Sequence, residues 1–200
     1  MAHLNLRLPL YAAVAAAYLS IACAPAHASE CLQRALAGAD TSRSTAHAFD
    51  FYTGNWNVRM RQRKVDANLR AASAWVTFDA TVTVHRLFQG AGFFEEYRLN
   101  KPGGTKFAVG SRLYNPQSNQ WKIYWANKND GQWEEPPATG GVLTQDGIDF
   151  IYDDTWGSRP VLTRYRWTTQ DPNHPVWQQA FSGNCGATWT ANWTMEFSRK

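Results

Sequence analysis

From Trp56 onward the chain is a succession of short β-branched and aromatic runs, broken at roughly 8–12-residue intervals by Gly, Pro, Asn or Asp. Nothing else in the sequence restricts the fold as much. Trp56, Val58, Met60 and Gln62 alternate with Asn57, Arg59, Arg61 and Arg63, the period of a strand with one buried face and one basic, solvated face. Similar runs cover residues 75–88, 93–99, 107–114, 121–125, 148–154, 161–168, 176–181 and 188–197. Between residues 133 and 143 the pattern is irregular. Pro136-Pro137 removes ladder donors there and Gly140-Gly141 adds backbone freedom, so an edge, a bulge or a rim loop is expected. Strands joined in order by tight turns form a meander, and closing the meander removes its exposed edges. The expected fold class is all-β: an up-and-down antiparallel barrel of eight to ten strands with a short N-terminal helix. A β-sandwich is the alternative.

The N-terminus reads differently. Residues 10–24 are apolar except for Ser20, and Ala26-His27-Ala28 places small residues where a signal peptidase reads them. An apolar stretch of this length is short for a membrane span, which needs about 20 residues. The expected organisation is a signal peptide over residues 1–28, a short helix and linker over 29–45 (helix at 30–39), and the barrel domain over 46–200. Export to the periplasm or the medium follows, with no membrane span after cleavage. Lipidation at Cys23 is the competing reading. Two cysteines remain after Ala28, Cys31 and Cys185, and an oxidising compartment favours a disulfide between them over two free thiols.

The formal net charge is +4, or +3 once Arg7 is removed, and it is dispersed. That is too weak to suggest a nucleic-acid partner. No paired His or Cys at metal-ligand spacing occurs, so no metal is expected. No cofactor is expected either; haem held by a single axial His85 or His174 is the alternative. No nucleophile motif is present.

The segment Gly54-Asn55-Trp56, entered from the short turn at residues 49–52, resembles the opening of a lipocalin-like or calycin barrel. The resemblance implies that Trp56 plugs the closed end and that Arg199, after the last strand, packs across it, with cation–π attraction as the physical reason. Leu113-Tyr114-Asn115-Pro116, Trp121-Lys122-Ile123-Tyr124-Trp125, Phe150-Ile151-Tyr152-Asp153-Asp154-Thr155 and Arg164-Tyr165-Arg166-Trp167 are similar to a bacterial, exported lipocalin-like family of undefined function. So are the segments around Trp177 and Trp193. The helix and the Cys31/Cys185 pair lie outside that resemblance.

The candidate site rests on two surpluses. The chain holds ten Trp, more than the ends of a small barrel need. Trp125, Trp167, Trp177 and Trp193 are the ones that either fill the interior or line a pocket in it. Polar residues also fall inside predicted strands: Glu95-Glu96, Asp153-Asp154, Arg164, Arg166 and Gln179. Period two turns one member of each adjacent acidic pair inward. Asp154, Arg164 and Gln179 are therefore expected among the aromatic walls, unless the charges form ion pairs on the outer face. The first functional reading is a monomeric or dimeric barrel binding a small, largely apolar or aromatic molecule. The second is an enzyme on the same barrel using a carboxylate–Arg pair for acid/base chemistry such as isomerisation, cyclisation or hydrolysis. The third is a structural or interaction protein of the envelope with a filled core. An internal cavity separates the third reading from the others, and a desolvated carboxylate beside an Arg within it would favour the second.

Overall fold

The computed structural model describes residues 24–37, 44–129, 131–134 and 137–200. Most of the expected signal peptide, Cys23 included, lies outside the described residues. Helix α1 runs Ala24–Ala35 and ends in a turn at Leu36 and Ala37, earlier than the expected 30–39. Alanine-rich sequence favours helix through the residues before 30, with Pro25 tolerated in a first turn. The expected cleavage point after Ala28 thus falls among helical residues.

After a single 3-10 turn, Asp50–Tyr52, come β1 (Gly54–Gln62), β2 (Val76–Leu87), β3 (Gly92–Lys101), β4 (Gly104–Asn115) and β5 (Gln120–Asn127). Two very short strands follow, β6 (Ala138–Gly140) and β7 (Val142–Leu143). Then come β8 (Gly147–Trp156), β9 (Arg159–Thr168), β10 (Val176–Ser182) and β11 (Thr190–Arg199). All pair antiparallel in one sheet, in the order β6-β5-β4-β3-β2-β1-β11-β10-β9-β8-β7. The first strand pairs with the last, so the meander wraps into a nearly closed barrel. The count among the described residues is eleven strands, not eight to ten. The irregular stretch supplies two pieces: β6 pairs with β5, and β7 pairs with β8. Only Gly141 separates them, and the segment changes partner there. Gly140 and Gly141 have φ of +153° and +102°. A Cβ on Gly141 would stand 3.0 Å from the Trp121 ring. A side chain is thus excluded from the crossing both by conformation and by space.

Alternation does the rest. In β1, Trp56, Val58 and Met60 are buried while Asn57, Arg59 and Arg61 are exposed. The core is densest at the end where β1 begins. Phe49, Tyr52, Trp56, Phe93, Trp121, Phe150, Trp167 and Phe197 pack there, largely edge to face. Arg199 lies 3.8 Å from the Trp56 ring centre and donates to the Thr53 and Phe51 carbonyls at 2.6 and 2.5 Å. Gly54, at φ +114°, makes room: a Cβ there would meet the Arg199 guanidinium at 3.3 Å. A disulfide joins Cys31 to Cys185 and ties α1 to the β10–β11 loop, while the helix lies against β8 and β9.

The opposite end is partly covered. The β1–β2 loop folds back so that Leu69, 7% exposed, packs on Val161 and Phe181. The indole N–H of Trp156 donates to the Asp66 carbonyl at 3.1 Å. Leu69 adopts φ +60°, a left-handed conformation that costs a branched residue about 1–2 kcal/mol. Asp66 Oδ1 holds the loop by accepting from the backbone of Asn68 and Arg70, each at 2.8 Å.

Candidate functional site

Between the aromatic floor and the Leu69 loop lies a cavity of about 380 Å³. Inward-facing side chains of the surrounding strands wall it. Trp125 comes from β5, Tyr152 and Asp154 from β8, Tyr165 from β9, Trp177 and Gln179 from β10, and Trp193 and Met195 from β11. Trp193 meets Trp125 at 5.9 Å and 89°, and Trp177 at 5.4 Å and 87°. Tyr165 leans on Trp177 at 5.2 Å, and Tyr97 on Trp125 at 4.8 Å. These contacts hold the rings as fixed walls. The Trp193 indole nitrogen is buried without an acceptor.

The deep end is polar and dry. Glu95 is 1% exposed and Arg112 3%. Arg112 Nε stands 2.6 Å from Glu95 Oε1, and Nη2 donates to Oε2 at 3.2 Å. Tyr97 donates to the same Oε2 at 2.5 Å and Tyr52 at 3.3 Å, while the two hydroxyls lie 2.9 Å apart. The guanidinium also sits within 5.0–5.1 Å of the Phe49, Tyr52 and Trp167 ring centres. Gly110, opposite Glu95 on β4, leaves the space: a Cβ there would lie 2.9 Å from the carboxylate.

This packing fixes the charges. Burial works against the Arg112 cation, but Glu95, with Tyr52 and Tyr97, more than offsets it, and its pKa is held above the ordinary value. Burial, reinforced by the Glu95 charge, pushes Tyr52 and Tyr97 above the usual tyrosine range, so both act as neutral donors. Arg112 Nη1 has no hydrogen-bond partner.

Of the residues singled out from sequence, Trp125, Asp154, Trp177, Gln179 and Trp193 line the cavity. Asp154 accepts from the Thr163 hydroxyl and the Thr155 backbone, both at 2.7 Å. Trp167 does not line the cavity; it is 1% exposed within the floor, 4.9 Å from Tyr52. Arg164 is a correction. In β9 the inward positions are the odd ones, Thr163, Tyr165 and Trp167, so Arg164 points out and stacks on Trp189 at 4.5 Å. Its neighbour Arg166 is outside too, paired across the hairpin with Asp149 at 2.5 and 2.8 Å. Asp153 faces outward beside the Cys31–Cys185 bridge, where burial raises its pKa. His85 and His174, the two candidate haem ligands, are largely exposed and do not line the cavity; they face Glu96 and Asp171 on the outside.

Sequence reasoning missed Arg112, Tyr52 and Tyr97. Glu95 was half visible, because one of Glu95-Glu96 had to point inward. Arg112 offered a signal of the same kind, since it falls in step with Ala108 and Gly110 on one strand face.

No family model matches the chain, and no curated protein does. Solved structures do. One is a structure of EF1p2_mFAP2b bound to DFHBI, at 11% identity, covering 78% of this chain and all of that one, with a TM-score of 0.40. Another is the S-type phycobiliprotein lyase CPES from Guillardia theta, at 9% identity, covering 80% of this chain and 94% of that one, with a TM-score of 0.50. At such identity the likeness to the lyase speaks to fold alone: an antiparallel β-barrel.

Proposed function

We propose that this protein binds one small, planar, largely apolar molecule inside its barrel. The observation that carries this reading is the cavity of about 380 Å³ between the perpendicular indoles of Trp125, Trp177 and Trp193. Its size falls in the range of small-molecule sites, whose walls are aromatic with few polar groups. A filled structural core would leave no such space. Gln179 and Asp154 offer orienting contacts along the wall. Trp193 Nε1 and Arg112 Nη1 are donors that an acceptor on the ligand would satisfy.

The interior carboxylate–guanidinium pair invites an acid/base reading. Glu95, however, is ion-paired with Arg112, accepts from Tyr97 and Tyr52 through Oε2, and is 1% exposed. A general base needs to be within reach of the proton it takes. The pair is better read as the fixed polar floor of a binding site.

Native mass spectrometry of protein purified from its own source, followed by tryptophan quenching with a panel of small aromatic molecules, tests the proposal. A co-purified adduct or saturable quenching is expected. Gln179→Trp, which fills the cavity, should abolish binding while the barrel stays folded by circular dichroism. Absence of both adduct and quenching in the wild-type protein overturns it.

A further inference from the structure

If the barrel binds a small molecule, as proposed above, the charge of the cavity narrows the choice of occupant. Its inner lining carries two carboxylates, Glu95 and Asp154, against one guanidinium, Arg112, while Glu134 is exposed. Arg112 is committed to Glu95 at 2.6 Å. The other arginines of that side of the barrel point away: Arg164 stacks on Trp189 and Arg166 pairs with Asp149, both outside. The inner lining therefore has a formal surplus of one negative charge, with Asp154 near the open ends of its strands and Glu95 near the closed ends.

The walls favour the same sign. Indole faces carry negative potential, and Trp125, Trp177 and Trp193 all line the cavity, with Trp193 at right angles to the other two. A cation placed there meets ring faces and a nearby carboxylate together. An anion would meet both as repulsion, in a region where water screens little. The unpartnered donors Arg112 Nη1 and Trp193 Nε1 still ask for an acceptor. A neutral oxygen supplies it without adding to the negative surplus.

We propose that the cavity selects a small organic cation, an amine or ammonium on an apolar ring body, with its charge held between the Trp125–Trp177–Trp193 cage and Asp154. Three probes with the same ring system isolate the charge: 2-naphthylmethylammonium, 2-naphthylmethanol and 2-naphthoate, titrated calorimetrically at neutral pH. The cation should bind about tenfold tighter than the alcohol, and the carboxylate weaker than either. In Asp154→Asn the advantage of the cation over the alcohol, both measured on the same variant, should fall to about two- to threefold. Asp154→Ser gives a second reading of the same advantage should Asp154→Asn disturb the fold. Equal binding of cation and alcohol, or tighter binding of the carboxylate, overturns the charge preference and leaves the cavity as a site for neutral ligands. If none of the three binds, the binding reading falls with it.

Discussion

Glu95 and Arg112 show how one buried pair governs a whole floor. Each would be costly alone in a dry interior, and each is tolerable because the other, with two tyrosine hydroxyls, satisfies it. Replacing Arg112 by Met should destabilise the protein by about 3–5 kcal/mol in denaturant unfolding, because Glu95 is left buried without its cation. Tyr97→Phe removes one hydrogen bond to a charged group and should cost about 1.5–3 kcal/mol by the same measurement. Arg199 works at the surface of the same end. Arg199→Ala loses the stacking on Trp56 and two bonds to carbonyls, and a loss of about 2 kcal/mol is expected. Legibility at this scale was uneven. Trp177 and Gln179 follow from strict alternation in a regular strand. Arg164 was misplaced because period two cannot turn both Arg164 and Trp167 inward, and Trp167 is the one that does.

The elements that ride on the barrel are held by few bonds. Helix α1 is fastened by Cys31–Cys185, which closes a sequence separation of 154 residues. In the chain-entropy view a loop of that size stabilises the fold by on the order of 4–5 kcal/mol. Cys185→Ser should lower unfolding free energy by up to that amount. It should also raise amide exchange in the helix ahead of the strands, which hydrogen–deuterium exchange would resolve. The long strands were legible in outline as runs of residues between turn signals, and the two short ones as a single irregular stretch. The folding back of the β1–β2 loop was not. Residues 63–75 mix six polar or charged residues with seven apolar ones, four of them Ala, and Leu69, held at an unusual backbone angle, anchors them across the opening.

At the scale of the whole molecule the interior is built for protonated tyrosines. Burial is the main cause at each of four: Tyr52, Tyr97 and Tyr152 are pushed above the usual range, and Tyr165 up to about 12. Their folded pKa values exceed the unfolded value of about 10. The stability they contribute is therefore fully present below pH 10 and is lost as pH rises through the folded values. For Tyr165 that window is between pH 10 and about 12. Ultraviolet titration of phenolate should show these four ionising together with alkaline unfolding rather than one at a time; a gradual titration of all tyrosines in folded protein would contradict it. The nearly closed barrel was legible in outline because closure hides the edges of a meander with one alternating buried face, although a sandwich fits the same alternation. Its interior was not, because alternation says which residues face inward and nothing about whether they meet in the middle.

The crossing at Gly141 gives the barrel a property that a complete ladder lacks. From β5 through β1 and β11 to β8 the neighbouring long strands pair in register, with one shift between Gln179 and Ala180 in the β10–β11 ladder. Along the line between β6 and β8 the stitching passes from one side of the chain to the other through a residue without a side chain. Along that line, among the described residues, the two edges of the sheet meet without a ladder between them.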